Sequence, residues 1–350
     1  MASRPLVSVV MTVHNGAKYI DACIASILQQ TFSDFEFIVL DDGSTDSTLA
    51  ILTHHQQLDP RIKIISEPRR GLPECRNRVC AEAGGKYLAM MDADDISFPQ
   101  RLEVQVEYME AHEEVALLGA QAQCMDENGP ISRHMFVPLE KENLKRRLLE
   151  GNCFVATSVM LRREFFLSVG GYRLPLAEDY DLWLRIGDRH EVANLKDILV
   201  YYRVHPEQAT SKQYCLVLLM AIGASYCARL RRAGKGDPLN ACPVITHRWL
   251  LDIGVPASEI EQQLLGEPLN RAAELLQGNH HAAGIQLLYE IYGLLAAQHS
   301  SGNVRGGLAF RISQFHHQAG HRFFAIIWRV RAYLLDPLRF KVVGSLWYFG

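Results

Sequence analysis

The run Leu6-Val7-Ser8-Val9-Val10-Met11-Thr12-Val13, followed at once by His14-Asn15-Gly16, decides how the first part of the chain folds. A continuous valine-rich apolar run suits a strand buried on both faces, as in a parallel sheet covered by helices. Outward from it, Ile20, Ile24, Ile27 and Leu28 recur at helical spacing. Phe35–Leu40 is a second apolar run, and Thr45–Gln57 reads as a helix. Arg61–Ile65 alternates like a half-buried strand, Glu74–Ala83 reads as a helix, and Lys86–Met91 is a fourth strand. Strict alternation of strand and helix predicts crossover units on a parallel sheet. Right-handed crossovers gather the loops after the strands at one sheet edge.

Those loops carry the unusual residues. His14, Asn15 and Gly16 follow the first run, Asp41-Asp42-Gly43-Ser44 the second, and Asp92-Ala93-Asp94-Asp95 the fourth. Six acidic or imidazole side chains therefore converge on one rim. Further on, Pro99 suits a helix start, with Leu102, Val106 and Met109 on one face. Val115–Gly119 and Ala156–Leu161 read as strands, Glu178–Ile186 as a short helix, and Ile198–Val204 as a strand leading to His205. From Lys212 onward the patterns are helical and broken by Gly and Pro. The expected organisation is an α/β domain over 1–212 and a helical C-terminal region over 213–350.

Composition bounds the function. The chain has 350 residues, 48% hydrophobic and 21% charged, which excludes disorder and low-complexity fibres. A net charge of −3 argues against a nucleic-acid binder. Eight cysteines without a CxxC pair fit neither a disulfide framework nor a zinc site, so a reducing, cytoplasmic setting is expected. No basic leader with a cleavable apolar core is read at the N-terminus. The longest uncharged stretch, Gln213–Ala228, is 16 residues and short for a bilayer span. Residues 304–350 hold seven Arg and Lys against one acid, a net +6, interleaved with Phe323, Phe324, Trp328 and Trp347. Such a mixture can lie peripherally in an anionic headgroup layer at the inner face of a cell membrane, and equally can pack as a helical lid or a homo-oligomer face.

Four groups can carry chemistry. Asp92 and Asp94, one residue apart at a strand end, can face a single hard cation such as Mg²⁺ or Mn²⁺, and equally form a solvated acidic turn. Asp41-Asp42-Gly43-Ser44-Thr45-Asp46 can bind a base or ribose, or merely turn and cap a helix through Ser44 or Thr45. Glu178, Asp179 and Asp181 open a helix, where acids favour the macrodipole; one of them can also serve as a general base. His205 is a structural imidazole or a further metal ligand, and Arg76 a nucleotide contact or a salt-bridge partner. GxSxG, GxxxxGK[ST] and GxGxxG signatures are absent, so serine hydrolases, P-loop kinases and dinucleotide dehydrogenases lack their main signals.

As a set, the motifs resemble the family 2 inverting glycosyltransferases with a GT-A fold. The matching text is Val7–Asn15, Leu28-Gln29-Gln30-Thr31-Phe32, Val39–Asp46, Met91–Asp95 and Glu178-Asp179-Tyr180-Asp181-Leu182-Trp183, within residues 5 to 210. The resemblance implies an α/β GT-A fold, a mixed and mostly parallel sheet flanked by helices. It also implies a nucleotide-binding half over 1–95 and an acceptor half over 96–212. It implies that Thr12, His14, Asp41 and Asp42 hold the base and ribose of a nucleoside-diphosphate sugar, a UDP-sugar being the expected donor. His14 stands where the family more often has Tyr. Asp92 and Asp94 match the DxD, with Asp94 the direct metal ligand and His205 an additional metal or diphosphate contact. Arg76 would touch the nucleotide. Asp179 matches the base, with Glu178 beside it as the fallback. The implied acceptor is a hydroxyl on a glycan or lipid-linked molecule in cell-surface polysaccharide or glycolipid synthesis. Two other readings are a nucleotidyl-transferring enzyme, whose basic Gly-rich N-terminal loop is absent, and a non-catalytic nucleotide- or glycan-binding module.

Overall fold

Val7, Val9, Val10 and Val13 of the first strand, β1 (Val7–Val13), are all buried, as a strand covered on both faces requires. The structure, a computed structural model, describes residues 4–127, 129–205, 208, 213–241, 245–277, 281–297, 302–318, 325, 328, 331, 332 and 335. Parallel to β1 on either side run β2 (Phe35–Asp42) and β4 (Tyr87–Asp92), and β3 (Ile62–Glu67) pairs parallel with β2. Helices α1 (Ile20–Leu28), α2 (Thr48–Leu58) and α3 (Leu72–Glu82) are the crossovers.

Beyond β4 the strand sense changes. The short β8 (Met160–Arg162) lies antiparallel between β4 and the long β6 (Val115–Asp126). The long β9 (Glu191–Arg203) pairs parallel with β6, and the two-residue β5 (Ile96–Ser97) closes the edge antiparallel to β9. The order is β3-β2-β1-β4-β8-β6-β9-β5, with β7 (Gly129–Met135) paired to β6. The expected mixed, mostly parallel sheet flanked by helices is what forms. Helices α4 (Arg101–Ala111), α5 (Lys141–Arg147), α6 (Arg163–Ser168) and α7 (Glu178–Gly187) complete this part.

Several elements run differently from their sequence reading. Gly119 was read as the end of a strand, yet β6 continues for seven more residues. The glycine is needed because a Cβ there would collide with Asn194 and Phe154. Ala156–Leu161 is split into a 3₁₀ turn over Ala156–Ser158 and β8, the Ser158 hydroxyl donating to Val155 O at 2.7 Å. Such local side-chain bonding competes with ladder formation.

The chain divides into two compact units, Met1–Gln208 with Ala224–Pro243, and Ala209–Gly223 with Val244–Gly350. The expected boundary after 212 falls at 209–212, outside the described residues. Residues 224–243, expected in the C-terminal region, group with the first unit. There Ser225 donates to Leu149 O at 2.6 Å, and Arg231 pairs with Asp188 and Asp237. They lie in α8 (Tyr214–Arg232) and the turn after it. Among the described residues α8 alone is long and apolar enough to cross a membrane by length and composition, and half of its apolar window is buried in the molecule.

The second unit is helical: α9 (His247–Asp252), α10 (Ala257–Leu265), α11 (Glu267–Gln277), α12 (His281–Ala297) and α13 (Gly302–Gln318). Most of the basic aromatic segment beyond 318 lies outside the described residues, including Phe323, Phe324 and Trp347. Trp328 is described and only 9% exposed, stacked on Tyr289 at 5.3 Å with Arg331 over its ring. This indole therefore packs within the unit.

The sheet leaves little tolerance where β1 and β4 begin. A Cβ on Gly85 would sit 2.6 Å from Ser8 N and 2.8 Å from the Val7 carbonyl carbon, both backbone atoms that cannot swing aside. Gly85→Ala is expected to destabilise the protein by about 1–3 kcal/mol, the usual cost of overpacking. It should appear as a lower urea midpoint with an unchanged slope.

Candidate active site

The parallel register sets the site. Val13 lies opposite Asp41, and Thr12 opposite Leu40 and Asp92, so the ends of β2, β1 and β4 present their polar residues side by side. The loops after them are stitched together. Asn15 adopts a left-handed conformation (φ 54°), which Asn tolerates. Its N–H donates to Ser44 Oγ at 2.9 Å, and its Oδ1 accepts from Thr45 N–H at 2.8 Å. Gly16 N–H donates to Thr48 Oγ1 and Ala17 N–H to Asp46 Oδ2. Ser44 and Thr45 thus clamp the neighbouring loop instead of capping α2, whose N-cap position is Ser47.

His14 Nδ1 lies 2.9 Å from Asp42 O. A carbonyl only accepts, so Nδ1 carries the proton and Nε2 is left to accept from Asn15 Nδ2 at 3.3 Å. Asp41 and Asp42 are both buried. Asp42 accepts from Arg70 N–H at 2.6 Å and Gly71 N–H at 3.1 Å, one on each oxygen, which fixes the loop entering α3. Burial pushes its carboxyl up, but these N–H groups, the Cys75 thiol and the Arg69 charge outweigh that and hold it low. Asp41 makes only the longer contacts to Ser44 N (3.3 Å) and Ser66 Oγ (3.4 Å), so it keeps more acceptor capacity.

Arg76, on α3, is the hub. Its Nη2 donates to Asp92 Oδ1 at 2.8 Å and its Nη1 to Glu178 Oε1 at 2.7 Å, with the guanidinium 5.5 Å over the Tyr172 ring. Burial disfavours its charge, but Glu178 and Asp92 more than restore it, so it stays protonated. Asp92 keeps 34% of its side chain exposed while Glu178 keeps 8%. Burial raises Asp92, and Asp94 and Asp179 add to this against the pull of Arg76. Burial likewise pushes Glu178 up to about 7, partly opposed by Arg76. A small cavity lies against this hub, walled by Thr12, Met91, Asp92, Tyr172 and Trp183.

The three acids that open α7 have three different fates. Glu178 is buried on Arg76. Asp181 is fully buried between Arg173 (2.8 Å) and Arg185 (2.9 Å), which makes it structural. Asp179 is half-buried, accepting from its neighbour Tyr180 N–H at 2.7 Å and from Asn152 Nδ2 at 3.2 Å. Before them, Ala177 is held left-handed (φ 51°), a strained conformation for a residue with a Cβ.

Across the rim, Asp94 Oδ2 and His205 Nε2 meet at 2.8 Å. Arg203 fixes this turn: its N–H donates to Asp95 Oδ1 (2.7 Å), its Nε to Asp94 O (2.7 Å) and its Nη1 to Asp126 O (3.1 Å). A carboxylate oxygen and an imidazole nitrogen on adjacent loops suit Mg²⁺ or Mn²⁺, which fill their other positions with phosphate oxygens and water. The buried His205 Nδ1 and Asp95 Oδ2 lack a hydrogen-bond partner. Among the described residues no cluster of three or more His, Cys, Asp or Glu is placed to hold a metal, so a cation here would need most of its ligands from phosphate and water.

The structure therefore brings Arg76, Asp92, Glu178 and Asp179 into one cluster, and Asp94 with His205 into another beside it. Thr12, His14, Asp41 and Asp42 line the neighbouring strand ends. Sequence reasoning passed over Asn152, Tyr172 and Arg203. Arg203 stood in the quoted strand and was hidden only because its partners are distant carbonyls.

The raised Glu178 carboxyl has a sign that can be checked. Its folded value lies above the ordinary 4.5, so its contribution to stability is present at low pH and is lost as pH rises through about 7. Glu178→Gln removes that loss. Measured by thermal melts, the variant should gain on the wild type between about pH 4.5 and pH 7 and level off above that.

Residues 8–170 match the family described as Glycosyl transferase family 2. The O-antigen biosynthesis glycosyltransferase WbnJ of Escherichia coli is 35% identical over 205 residues, 57% of this chain and 80% of that protein. The amylovoran biosynthesis glycosyltransferase AmsE of Erwinia amylovora is 33% identical over 211 residues, 59% of this chain and 79% of that protein. Among solved structures, S. aureus TarS 1-349 in complex with UDP-GlcNAc aligns with a TM-score of 0.53 at 16% identity, covering 98% of this chain and 93% of that one. The mannosyltransferase PcManGT from Pyrobaculum calidifontis, in complex with GDP-Man and Mn²⁺, aligns at 0.52 and 17% identity, covering 99% and 89%. The structural likeness is one of fold, the GT-A arrangement. With the identity to WbnJ and AmsE over most of their length, it leads to one conclusion: this chain belongs to glycosyltransferase family 2 and is a glycosyltransferase.

Proposed function

We propose that this chain transfers a sugar, with inversion, from a nucleoside-diphosphate sugar to a hydroxyl of a glycan or lipid-linked acceptor in cell-surface polysaccharide synthesis, with a divalent cation at Asp94 and His205. The observation that carries the reading is the contrast between adjacent carboxylates at the start of α7. Glu178 is buried and clamped by Arg76, whereas Asp179 is half-buried and close enough to Asp92 to raise its carboxyl. Only the second is free to take a proton from a substrate. The names of WbnJ and AmsE support the setting in polysaccharide synthesis. The nucleotide-sugars and Mn²⁺ held by TarS and PcManGT support the donor class and the cation. A UDP-sugar is the proposed donor.

In this reading the strand-end loops around Thr12, His14 and Asp41 receive the base and ribose. Asp94 and His205 hold the cation, which when bound offsets charge on the departing diphosphate. Asp179 accepts the proton of the acceptor hydroxyl, whose oxygen forms a bond to the anomeric carbon from the face opposite the diphosphate. The bond from that carbon to the diphosphate oxygen breaks with its electron pair, and one in-line displacement inverts the configuration. Arg76 keeps Asp92 and the start of α7 in register.

Two variants test this reading once a nucleotide-sugar screen has identified the donor. Asp179→Asn keeps the shape and removes the base, so kcat should fall by about two to four orders of magnitude with donor affinity little changed. Near-wild-type turnover in Asp179→Asn, with Glu178→Gln inactive, exchanges the two roles. Asp94→Ala should lose nearly all transfer, as well as cation-dependent thermal protection by the nucleoside diphosphate. Full activity in EDTA would falsify the cation assignment.

A further inference from the structure

We propose that Asn152 is a positioning residue that aims the Asp179 carboxylate, an inference that rests on reading Asp179 as the base. Asn152 is exposed in the segment between α5 and the Ala156–Ser158 turn. Its Oδ1 accepts from Phe154 N–H at 3.1 Å. An N–H can be accepted only by the oxygen end of the amide, so the other end, Nδ2, is fixed by the local turn. That end lies 3.2 Å from Asp179 Oδ2.

The carboxylate is thereby held on both sides. Tyr180 N–H donates to Oδ1 and Asn152 Nδ2 to Oδ2, from different elements. Each oxygen keeps a further lone pair for a substrate proton. Without Asn152, the half-buried Asp179 carboxylate is held at Oδ1 alone, by the Tyr180 N–H, and misplacing a reacting group by about 1 Å can cost on the order of a hundredfold.

The support under Asn152 is rigid although Asn152 itself is exposed. Cys153 and Phe154, which follow it, are buried. Asn194 Nδ2 donates to Cys153 O at 3.0 Å and to Pro138 O at 2.9 Å, in the space that Gly119 leaves open. The Phe154 ring meets Trp183 of α7 edge-on at 6.3 Å, which ties the segment to the helix that carries Asp179. The charged and titratable groups that face Asp179 are Glu178 on its own helix, Arg76 from α3, Asp92 from β4 and Tyr172 from the segment before α7. Arg76 is already shared between Glu178 and Asp92, so Asn152 supplies the direct side-chain donor that Asp179 otherwise lacks.

Two substitutions separate this role from turn-making. In Asn152→Ser the hydroxyl still accepts from Phe154 N–H but is too short to reach Asp179. In Asn152→Asp the turn acceptor is kept and a second carboxylate is set against Asp179. Asn152→Ser should lower kcat about tenfold to a hundredfold, with donor KM within about twofold and an unchanged melting temperature. Asn152→Asp should move the acid limb of the kcat–pH profile upward by about one unit, because a neighbouring like charge favours the protonated form. In the Asp179→Asn background, Asn152→Ser should change kcat by less than about twofold, since the residue it serves is gone. If both single variants keep wild-type kcat and acid limb while Asp179→Asn is impaired, the Asn152 role is overturned and the base reading stands. An undiminished effect of Asn152→Ser in the Asp179→Asn background also overturns it. Near-wild-type turnover in Asp179→Asn itself sinks the base reading, and this proposal with it.

Discussion

The cluster at the start of α7 depends on one half-buried cation. Arg76 is a single guanidinium shared between Asp92, at the end of β4, and Glu178, in the first turn of α7. An unpaired charge in such a place costs several kcal/mol, whereas a planar fork with a carboxylate on each arm satisfies itself. Two elements 102 residues apart in sequence, Arg76 and Glu178, are thus locked at one angle. Ala177, just before Glu178, is left-handed, so the first turn of α7 is entered through a sparsely populated backbone conformation.

The three acids Glu178, Asp179 and Asp181 show how identical chemistry is sorted by surroundings. Asp181 faces two arginines in the core, Glu178 faces Arg76, and Asp179 meets an amide at the surface. Helical geometry turns Asp179 about 100° away from Glu178, while Glu178 and Asp181, nearly one turn apart on the same side, differ in the arginines they meet. A shift of one residue along the helix therefore divides carboxylates held by arginines from one left half-buried at the rim.

Much of this was legible in the sequence, for a physical reason. The polar residues of the first half stand directly after apolar runs, and a parallel sheet delivers such residues to one edge whatever else the chain does. Hence His14, Asp41, Asp42, Asp92, Asp94 and Asp95 could be read as one rim from their local text. Pairings across the chain could not. That Arg76 prefers Glu178, that Asp42 is used up by Arg70 and Gly71, and that Asn152 meets Asp179 depend on which loops come to lie beside each other. Gly119 is the sharpest case: glycine signals a strand end locally, but here it makes room for Asn194 inside a strand. The short β5 and the polar β7 carry too few apolar residues to announce themselves.

The meeting of Asp94 with His205 also fixes an order of assembly. The two residues are 111 apart in the chain, and the segment between them must be gathered before they can touch. Closing so long a loop has an entropic cost that no local contact repays until β9 docks on β6 and captures β5. By contrast, β1 and β2 pair residues only 28 apart, and β4 then joins β1 at a separation of 80. During synthesis the ends of β1, β2 and β4 can form early, while the contact between Asp94 and His205 cannot exist until residue 205 has been made.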